Sequence, residues 1–328
     1  AGTVGDVRIA MHPIDGFNGV LACNEFPNGG DMVLDRNDAS GSSNFFSSSN
    51  NYRFFRNVVQ HEHGHGIGLL HVCPSNQTKL MEPFISTAYD GVRHDDVRAA
   101  HANYGDINEP DNTATFAVSA GSIGPGTSVT LGTIPGTAIS NGSTLSIDAN
   151  GENDYHKFTT SQILLANITL TPVGLTYTQG PQTSQCNTGT STNSLSAANL
   201  AFDYRDPSLQ LVNAQNATAA GSAETFTSLL ISPPGEQFIR VYETDAPTQV
   251  QLYQMTIAGV SVPTVSATDA LLGQVDLSWT NIPGTTQYQV LRNTVNSETG
   301  ATQVGTPAIN SFSDTTPPAN TTLARNFR

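Results

Sequence analysis

The sequence of 328 residues has little lysine and little charge, and each shortage excludes a class of protein. Lysine occurs only at Lys79 and Lys157, and the formal net charge is −14. Such an acidic chain has few cations to offer to phosphates, which argues against nucleic acid or an anionic membrane as its partner. Charged residues make up only 12% of the chain, and Ser, Thr, Asn and Gly take their place. This composition suits an exported, β-rich protein.

Long apolar runs and cysteines are also scarce. No apolar run is long enough to span a bilayer, so we expect no transmembrane segment. Three cysteines, Cys23, Cys73 and Cys186, are too few for a disulfide framework. Either all three are unpaired thiols, or one pair forms in an oxidising compartment. In the second case we expect Cys23 to pair with Cys73.

The first part of the chain, residues 1–108, holds seven of the eight histidines. Two amphipathic patterns in it predict helices, the first over about residues 51–66 and the second over about 94–104. Short strands and loops are expected around them. We therefore predict a domain of the α+β class over residues 1–108.

The rest of the chain shows no convincing helical pattern. Residues 109–260 instead show apolar alternation, which predicts an antiparallel β-sandwich. The clearest alternating segments are 164–170, 238–242 and 250–255. A last unit, 261–328, has Trp279 and Tyr288 as its expected core aromatics. The predicted fold class is thus multidomain, with all-β domains after the α+β domain.

The most informative segment begins at His61 and reads His-Glu-His-Gly-His-Gly-Ile-Gly-Leu-Leu-His, which fits H-E-x-x-H-x-x-G-x-x-H. Positions four apart share a helix face, so His61 and His65 can bind one metal ion, with Glu62 beside them. Gly68 allows a turn with positive φ, after which His71 supplies a third imidazole. Three protein ligands leave the fourth position of a tetrahedral zinc for water, as in catalytic sites.

The other histidines lack this spacing. His63 lies about 200° around the predicted helix from His61, so it should not bind the same ion. The remaining ones are expected to be structural or solvated: His12, His94, His101 and His156.

With this motif, residues 1–108 resemble the catalytic domain of a metzincin, and more narrowly that of a matrixin, the matrix metalloproteinase type. Residues 79–83, Lys-Leu-Met-Glu-Pro, resemble the Met-turn of that family, which implies that Met81 packs beneath the zinc site. Residues 92–106 resemble its C-terminal helix. The resemblance covers about residues 4–106 and implies a zinc endopeptidase.

The resemblance also implies calcium sites before residue 40. One would lie near Asp15, Asp35 and Asp38, and another near Asp6 and Asp31, because hard oxygen ligands suit Ca²⁺. A solvated acidic loop has the same composition, so both interpretations stay open.

Substrate contacts follow from the same resemblance. The family binds its substrate antiparallel to an edge strand above the zinc, and residues 19–22 match that strand, so Leu21 and Ala22 are implied contacts. Pro83 and Ile85 match the wall of the pocket that receives the side chain after the cleaved bond. Since Phe84 makes this wall more apolar, we expect a medium or large hydrophobic side chain there.

The sequence departs from the matrixin pattern in three respects. Cys23 and Val33 stand where the family has ligands of a structural zinc, so we expect one catalytic zinc and no structural zinc. Val72 follows the third histidine, where matrixins usually have serine. The family's first strand and first long helix would precede residue 1, so we expect a partial catalytic domain, truncated at its N-terminus.

The β-rich parts carry looser resemblances. Residues 109–260 resemble the β-sandwich appendages of secreted bacterial proteases. Residues 261–328 resemble the opening strands of a fibronectin type III module that is incomplete at its C-terminal end. We expect these β domains to bind substrate, a glycan or a cell surface.

Together these features predict a secreted bacterial zinc endopeptidase that acts on proteins or peptides. Glu62, as general base, would activate a zinc-bound water for attack on the peptide bond. An alternative stays open: a cell-surface adhesion or matrix-binding protein that carries a degenerate protease domain. The intact motif weighs against this alternative, and the expected truncation weighs for it.

Overall fold

The structure is a computed structural model that describes residues 7–27, 29–40, 45–133, 144–246, 249–260, 263–268, 273–281, 286–293 and 300–316. Within these residues the chain is mostly β-sheet with few helices, and its strands form several separate sheets. No helix in this part is long and apolar enough to cross a membrane. Asp6, one of the expected calcium ligands, lies outside the described residues.

The N-terminal region combines a small sheet with helices. Its elements are strands β1 (Ile9–His12), β2 (Ala22–Asn24), β3 (Met32–Asp35) and β4 (Val72–Cys73), and helices α1 (Arg36–Ser40), α2 (Arg53–Gly66) and α3 (His94–Tyr104). Strand β3 lies between β1, to which it is parallel, and β2, to which it is antiparallel. Strand β2 is therefore an edge of this sheet.

An apolar cluster packs helix α2 against this sheet. Met32 and Leu34 of β3 are buried together with Val58 of α2 and with Phe45. Burial of each such side chain contributes about 1.5–3 kcal/mol, so the cluster fixes the helix relative to edge strand β2.

Helix α2 begins two residues later than the sequence pattern predicts. Asn50, Asn51 and Tyr52 have φ values of 52°, 55° and 58°. Residues in the left-handed region cannot continue a right-handed helix, so the first turn begins at Arg53. Helix α3 has the predicted bounds, and Gly105 ends it with a φ of 72°.

The strands between residues 118 and 260 form two five-stranded sheets and part of a smaller one. They are β5 (Val118–Ser122), β6 (Ser128–Leu131), β7 (Leu145–Ile147), β8 (Asn153–Thr160), β9 (Leu164–Val173), β10 (Thr176–Pro181), β11 (Thr190–Asn193), β12 (Leu200–Arg205), β13 (Leu211–Gln215), β14 (Glu224–Ile231), β15 (Gly235–Glu243) and β16 (Gln251–Val260). One large sheet has the order β13-β12-β15-β8-β5. The other has the order β14-β9-β16-β6, with β7 also paired to β16.

These two sheets share one core, to which Phe158, Phe202 and Val241 of the first sheet and Ile168 and Met255 of the second contribute. Their strand pairs are antiparallel except for β5 with β8. Side chains of β9 alternate between buried and half-buried along most of the strand, which is the alternation that predicted a sandwich. We refer to these two packed sheets as the sandwich.

The last described part holds short strands. They are β17 (Val265–Ala267), β18 (Val275–Trp279), β19 (Val290–Arg292), β20 (Thr302–Gly305) and β21 (Ser311–Asp314). Strands β17, β18 and β21 form one sheet, and β19 pairs with β20. Trp279 and Tyr288 are buried with ring centroids 5.2 Å apart, as expected of core aromatics. The fibronectin type III resemblance stays a prediction.

One pair of cysteines forms, as the second interpretation allowed, but the partners differ from those expected. A disulfide joins Cys73 to Cys186 across a sequence separation of 113, and Cys23 is a free, exposed thiol. The expected Cys23–Cys73 pair is wrong because β4, which carries Cys73, pairs with β10 rather than with the sheet that holds Cys23.

Helix α3 connects the N-terminal region to the sandwich. Arg98 donates through Nε to the backbone carbonyl just before β16, at 2.9 Å. His94 Nε2 lies 2.9 Å from Ser194 Oγ, and His101 Nδ1 lies 2.8 Å from Ser146 Oγ. These helix residues are spaced by four and by three, so they share one face of α3. His94 and His101 are thus structural, in agreement with the sequence analysis.

Candidate metal centre

Three imidazoles meet at one point beside helix α2. His61 and His65 lie one turn apart on the helix, and His71 follows the turn after it. The Nε2 atom of His71 lies 3.0 Å from Nε2 of His61 and 3.1 Å from Nε2 of His65. This is a geometry in which each histidine offers one nitrogen to a shared metal ion.

The Nδ1 atoms indicate that His61 and His65 do not donate hydrogen bonds through Nε2 in these close approaches. Nδ1 of His61 lies 2.7 Å from the carbonyl of Leu80, and Nδ1 of His65 lies 2.7 Å from the carbonyl of Leu69. Because a carbonyl oxygen only accepts, each Nδ1 carries the proton, and Nε2 of the neutral ring carries a lone pair.

Lone pairs that face one another at this distance repel unless a cation lies between them. Nitrogens bound tetrahedrally to zinc at ~2.0–2.1 Å lie about 3.3 Å apart, close to the separations observed here. The donor set therefore fits a zinc ion. His63, on the same helix, is exposed and takes no part in this cluster, as expected.

Gly68 redirects the chain after helix α2. Its φ is 90°, as expected from the motif, and a side chain there would be strained. Its N–H donates to the carbonyl of His65 at 2.9 Å, and the N–H of Leu69 donates to that of Gly64 at 2.9 Å. These hydrogen bonds end helix α2 within one turn. The chain then reverses direction, so that the His71 side chain faces the helix.

Met81 lies against helix α2 between the two histidine turns. It is 2% exposed, and a Cβ atom built on Gly64 would be 2.4 Å from its sulfur. The carboxylate of Asp96 accepts hydrogen bonds from the backbone N–H groups of Leu80 and Met81, at 3.0 and 3.1 Å. The first turn of α3 thereby fixes the segment whose carbonyl holds His61.

The histidines line a cleft of about 680 Å³. Edge strand β2 and the residues before it form one side, and the segment after Met81 forms part of the rest. All of the expected substrate contacts line this cleft, namely Leu21, Ala22, Pro83 and Ile85. Glu62 lines it as well. The structure therefore brings together the expected zinc ligands, the expected base and the substrate contacts inferred from sequence.

Burial sets the protonation of the site. It raises the pKa of Glu62 to about 7 and lowers the pKa of His61 to about 4. The pKa of His65 is also lowered by burial. Neutral imidazoles are the form that binds zinc, and a carboxylate with a pKa near neutrality suits proton transfer.

The expected calcium ligands make other contacts. Asp35 and Asp38 are buried and accept hydrogen bonds from backbone N–H groups of the loop 15–18, which includes Asp15. Asp31 forms an ion pair with Arg8. In the described part of the chain, none of these carboxylates belongs to a cluster with metal-binding geometry. Their role as calcium ligands stays a prediction.

A second group of potential ligands lies where the sandwich begins. Carboxylate oxygens of Glu109, Glu152 and Asp154 lie within 4.8 Å of one another. Burial, together with neighbouring Glu152, raises the pKa of Glu109 to about 8. Burial and Asp106 raise the pKa of Asp111 to about 7. Segments far apart in sequence supply these residues, so no local motif indicated the cluster.

The sequence analysis did not identify two residues that support the histidines. Gln182 Oε1 lies 3.0 Å from Nδ1 of His71, at a sequence separation of 111 that no local pattern could span. Asp96 also accepts from the N–H of Arg93 at 2.7 Å, in a capping box at the start of α3. A capping pattern could have indicated that contact, but not the contact with the Met81 segment.

Comparison with known proteins supports a matrixin-like domain. Residues 6–105 match the model of the matrixin family, a family of metallopeptidases. No curated protein matches the chain.

Two solved structures show a distant likeness. The pre-peptidase C-terminal domain of a collagenase from Bacillus anthracis is 12% identical, with 43% of this chain and 95% of that chain covered, at a TM-score of 0.24. A β-1,2-glucanase from Parabacteroides distasonis is 14% identical, with 57% of this chain and 29% of that chain covered, at a TM-score of 0.20. Both TM-scores are too low to establish a shared fold.

Proposed function

We propose that this chain is a zinc-dependent endopeptidase in which His61, His65 and His71 bind zinc and Glu62 is the general base. The observation that supports this best is the convergence of three Nε2 lone pairs beside a buried carboxylate in an open cleft. Each ring is held through its Nδ1 by an oxygen acceptor, which is the usual arrangement around protein-bound zinc.

The chain's own residues account for the proton transfers. Zinc, when bound, supplies Lewis-acid chemistry, since it lowers the pKa of water and polarises a carbonyl. Glu62 accepts the proton of the attacking water and then donates it to the leaving amine. Met81 and Gly68 are structural residues that hold the ligand geometry.

We propose that substrate binds as an additional strand along β2. The outer edge of β2 is unpaired within the described sheet and lines the cleft, so an extended peptide can pair there, next to Leu21 and Ala22. Pro83 and Ile85 then form the wall for the side chain after the cleaved bond. Their apolar character favours a medium or large hydrophobic residue.

We also propose that the enzyme is exported from a bacterial cell. The Cys73–Cys186 disulfide supports an oxidising compartment. In this proposal residues 1–108 are the catalytic domain, 109–260 the sandwich domain and 261–328 a fibronectin type III-like module. The two β domains bind substrate, a glycan or a cell surface, and calcium binds near Asp15, Asp35 and Asp38.

Zinc content measured together with casein or gelatin cleavage tests the proposal. We expect one bound zinc and cleavage that stops with a chelator and returns when zinc is added. The Glu62→Gln variant should keep zinc and lose about 10²–10⁴-fold in turnover. Cleavage by this variant at the wild-type rate would exclude Glu62 as the base. Zinc binding by the wild-type chain without cleavage would favour the adhesion protein with a degenerate protease domain.

A further inference from the structure

A segment of the proposed sandwich domain, residues 109–260, reaches the third histidine of the metal centre; it links β9 to β12 and lies outside the two packed sheets. Strand β10 pairs antiparallel with β4, so that Pro181 is opposite Val72 and Gly180 is opposite Cys73. The next residue along the chain is Gln182, and His71 directly precedes β4. The pairing therefore places Gln182 beside His71.

The three histidines are held by different kinds of partner. Backbone carbonyls of the N-terminal region hold His61 and His65, each at 2.7 Å. His71 instead donates from Nδ1 to the side chain of Gln182, at 3.0 Å. Its orientation thus depends on a residue of the segment that links β9 to β12.

We propose that Gln182 is a positioning residue of the metal centre, and that the proposed sandwich domain completes the site through the segment between β9 and β12 rather than being only an appendage to it. The amide oxygen of Gln182 accepts the Nδ1 proton of His71, which leaves Nε2 unprotonated and directs its lone pair toward the other two rings. This inference rests on the proposed zinc-binding function.

Two constraints hold Gln182 in place. The β4–β10 pairing fixes the chain just before it, and the Cys73–Cys186 disulfide fixes the chain four residues after it. The backbone N–H of Ser75 also donates to the carbonyl of Cys186 at 2.8 Å. Because both ends are tied to the strand that follows His71, little conformational freedom is lost when the hydrogen bond forms.

Partners of this kind typically contribute 10–100-fold to metal affinity. Gln182 is exposed, and water competes for a hydrogen bond at the surface. We therefore expect an effect at the lower end, about 10-fold.

The test is the zinc dissociation constant of the full chain, measured by competition with a chromophoric chelator. Gln182→Leu removes the acceptor at similar size and should weaken zinc binding about 10-fold. Gln182→Glu keeps an acceptor and should retain wild-type affinity. Gln185→Leu is the matched control, because Gln185 is exposed on the same segment and, among the described residues, its amide oxygen accepts a hydrogen bond from Asn187 alone. It should bind zinc as the wild type does.

Thermal unfolding in EDTA separates positioning from folding. If Gln182 acts on the metal centre, Gln182→Leu and the wild type unfold at the same temperature in EDTA. Their unfolding temperatures then differ only when zinc is present. Equal zinc affinity of Gln182→Leu and wild type would overturn the inference and leave the proposed function intact. A wild-type chain that binds no zinc would overturn both.

Discussion

The sulfur of Met81 lies where a side chain on Gly64 would begin: a Cβ atom built on Gly64 is 2.4 Å from Met81 Sδ and 3.1 Å from Met81 Cε. Met81 is 2% exposed, so its side chain cannot shift outward into solvent. Gly64 is the second x of the H-E-x-x-H motif and separates the two helical histidines. Its lack of a side chain therefore allows the Met81 segment to pack directly beneath them.

Gly64→Ala should for this reason destabilise the protein although alanine favours helix. The gain in helix propensity is about 1 kcal/mol, whereas overpacking a buried contact costs about 1–3 kcal/mol. We expect a net loss of up to about 2 kcal/mol in the free energy of unfolding, measured in urea with EDTA present. The Gly64→Ala/Met81→Ala variant is the control. It should lose less than the sum of the two single changes, and strict additivity would contradict the packing argument.

Metal removal should lower stability only while the three histidines are intact. A ligand that binds the folded state alone stabilises it by about 2.7 kcal/mol when its free concentration is 100 times its dissociation constant. We expect a chelator that is selective for zinc over calcium to lower the thermal midpoint of the wild type and to leave His65→Ala unaffected. If both proteins responded equally, the stabilising ion would be bound somewhere other than the His61, His65 and His71 cluster.

Local sequence patterns predicted the parts of the site that lie within one helix and its turn. Four-residue spacing placed His61 and His65 together, and Gly68 has the positive φ that the motif requires. The contact between His71 and Gln182 could not be predicted, because it depends on the pairing of β4 with β10. Strand pairing over such a distance is set by the packing of whole sheets, which no short pattern encodes.

The Cys73–Cys186 disulfide also depends on the long-range pairing of β4 with β10. Its removal should lower the free energy of unfolding. Cys73 and Cys186 are 113 residues apart, and cross-links that close long loops stabilise by about 2–5 kcal/mol. We expect a Cys73→Ser/Cys186→Ser variant to lose an amount in this range in denaturant unfolding. Cys23→Ser is the control, because Cys23 is a free, exposed thiol, and it should change stability by less than ~0.5 kcal/mol. Equal losses in both variants would contradict the assigned pairing.

The carboxylates at the start of the sandwich should make stability fall as the pH rises from about 4 to about 8. Burial and neighbouring carboxylates raise the pKa of Glu109 to about 8 and those of Asp111 and Asp148 to about 7. Since these groups titrate near pH 4 in the unfolded chain, the folded protein binds more protons between about pH 4 and 8. Stability that is present at low pH is therefore lost as the pH rises through the folded-state values.

The measurement is the free energy of unfolding in EDTA between pH 6.5 and 8. Buried histidines act with the opposite sign but at lower pH, because burial lowers the pKa of His94, His101 and His156 to about 4. Each carboxylate contributes a slope of up to about 1.4 kcal/mol per pH unit, so Asp111→Asn should make the decrease shallower. Glu236→Gln, a change at an exposed carboxylate on β15, should leave the slope as it is. If the free energy of unfolding of the wild type stayed constant over this pH range, these carboxylates would ionise without destabilising the folded state.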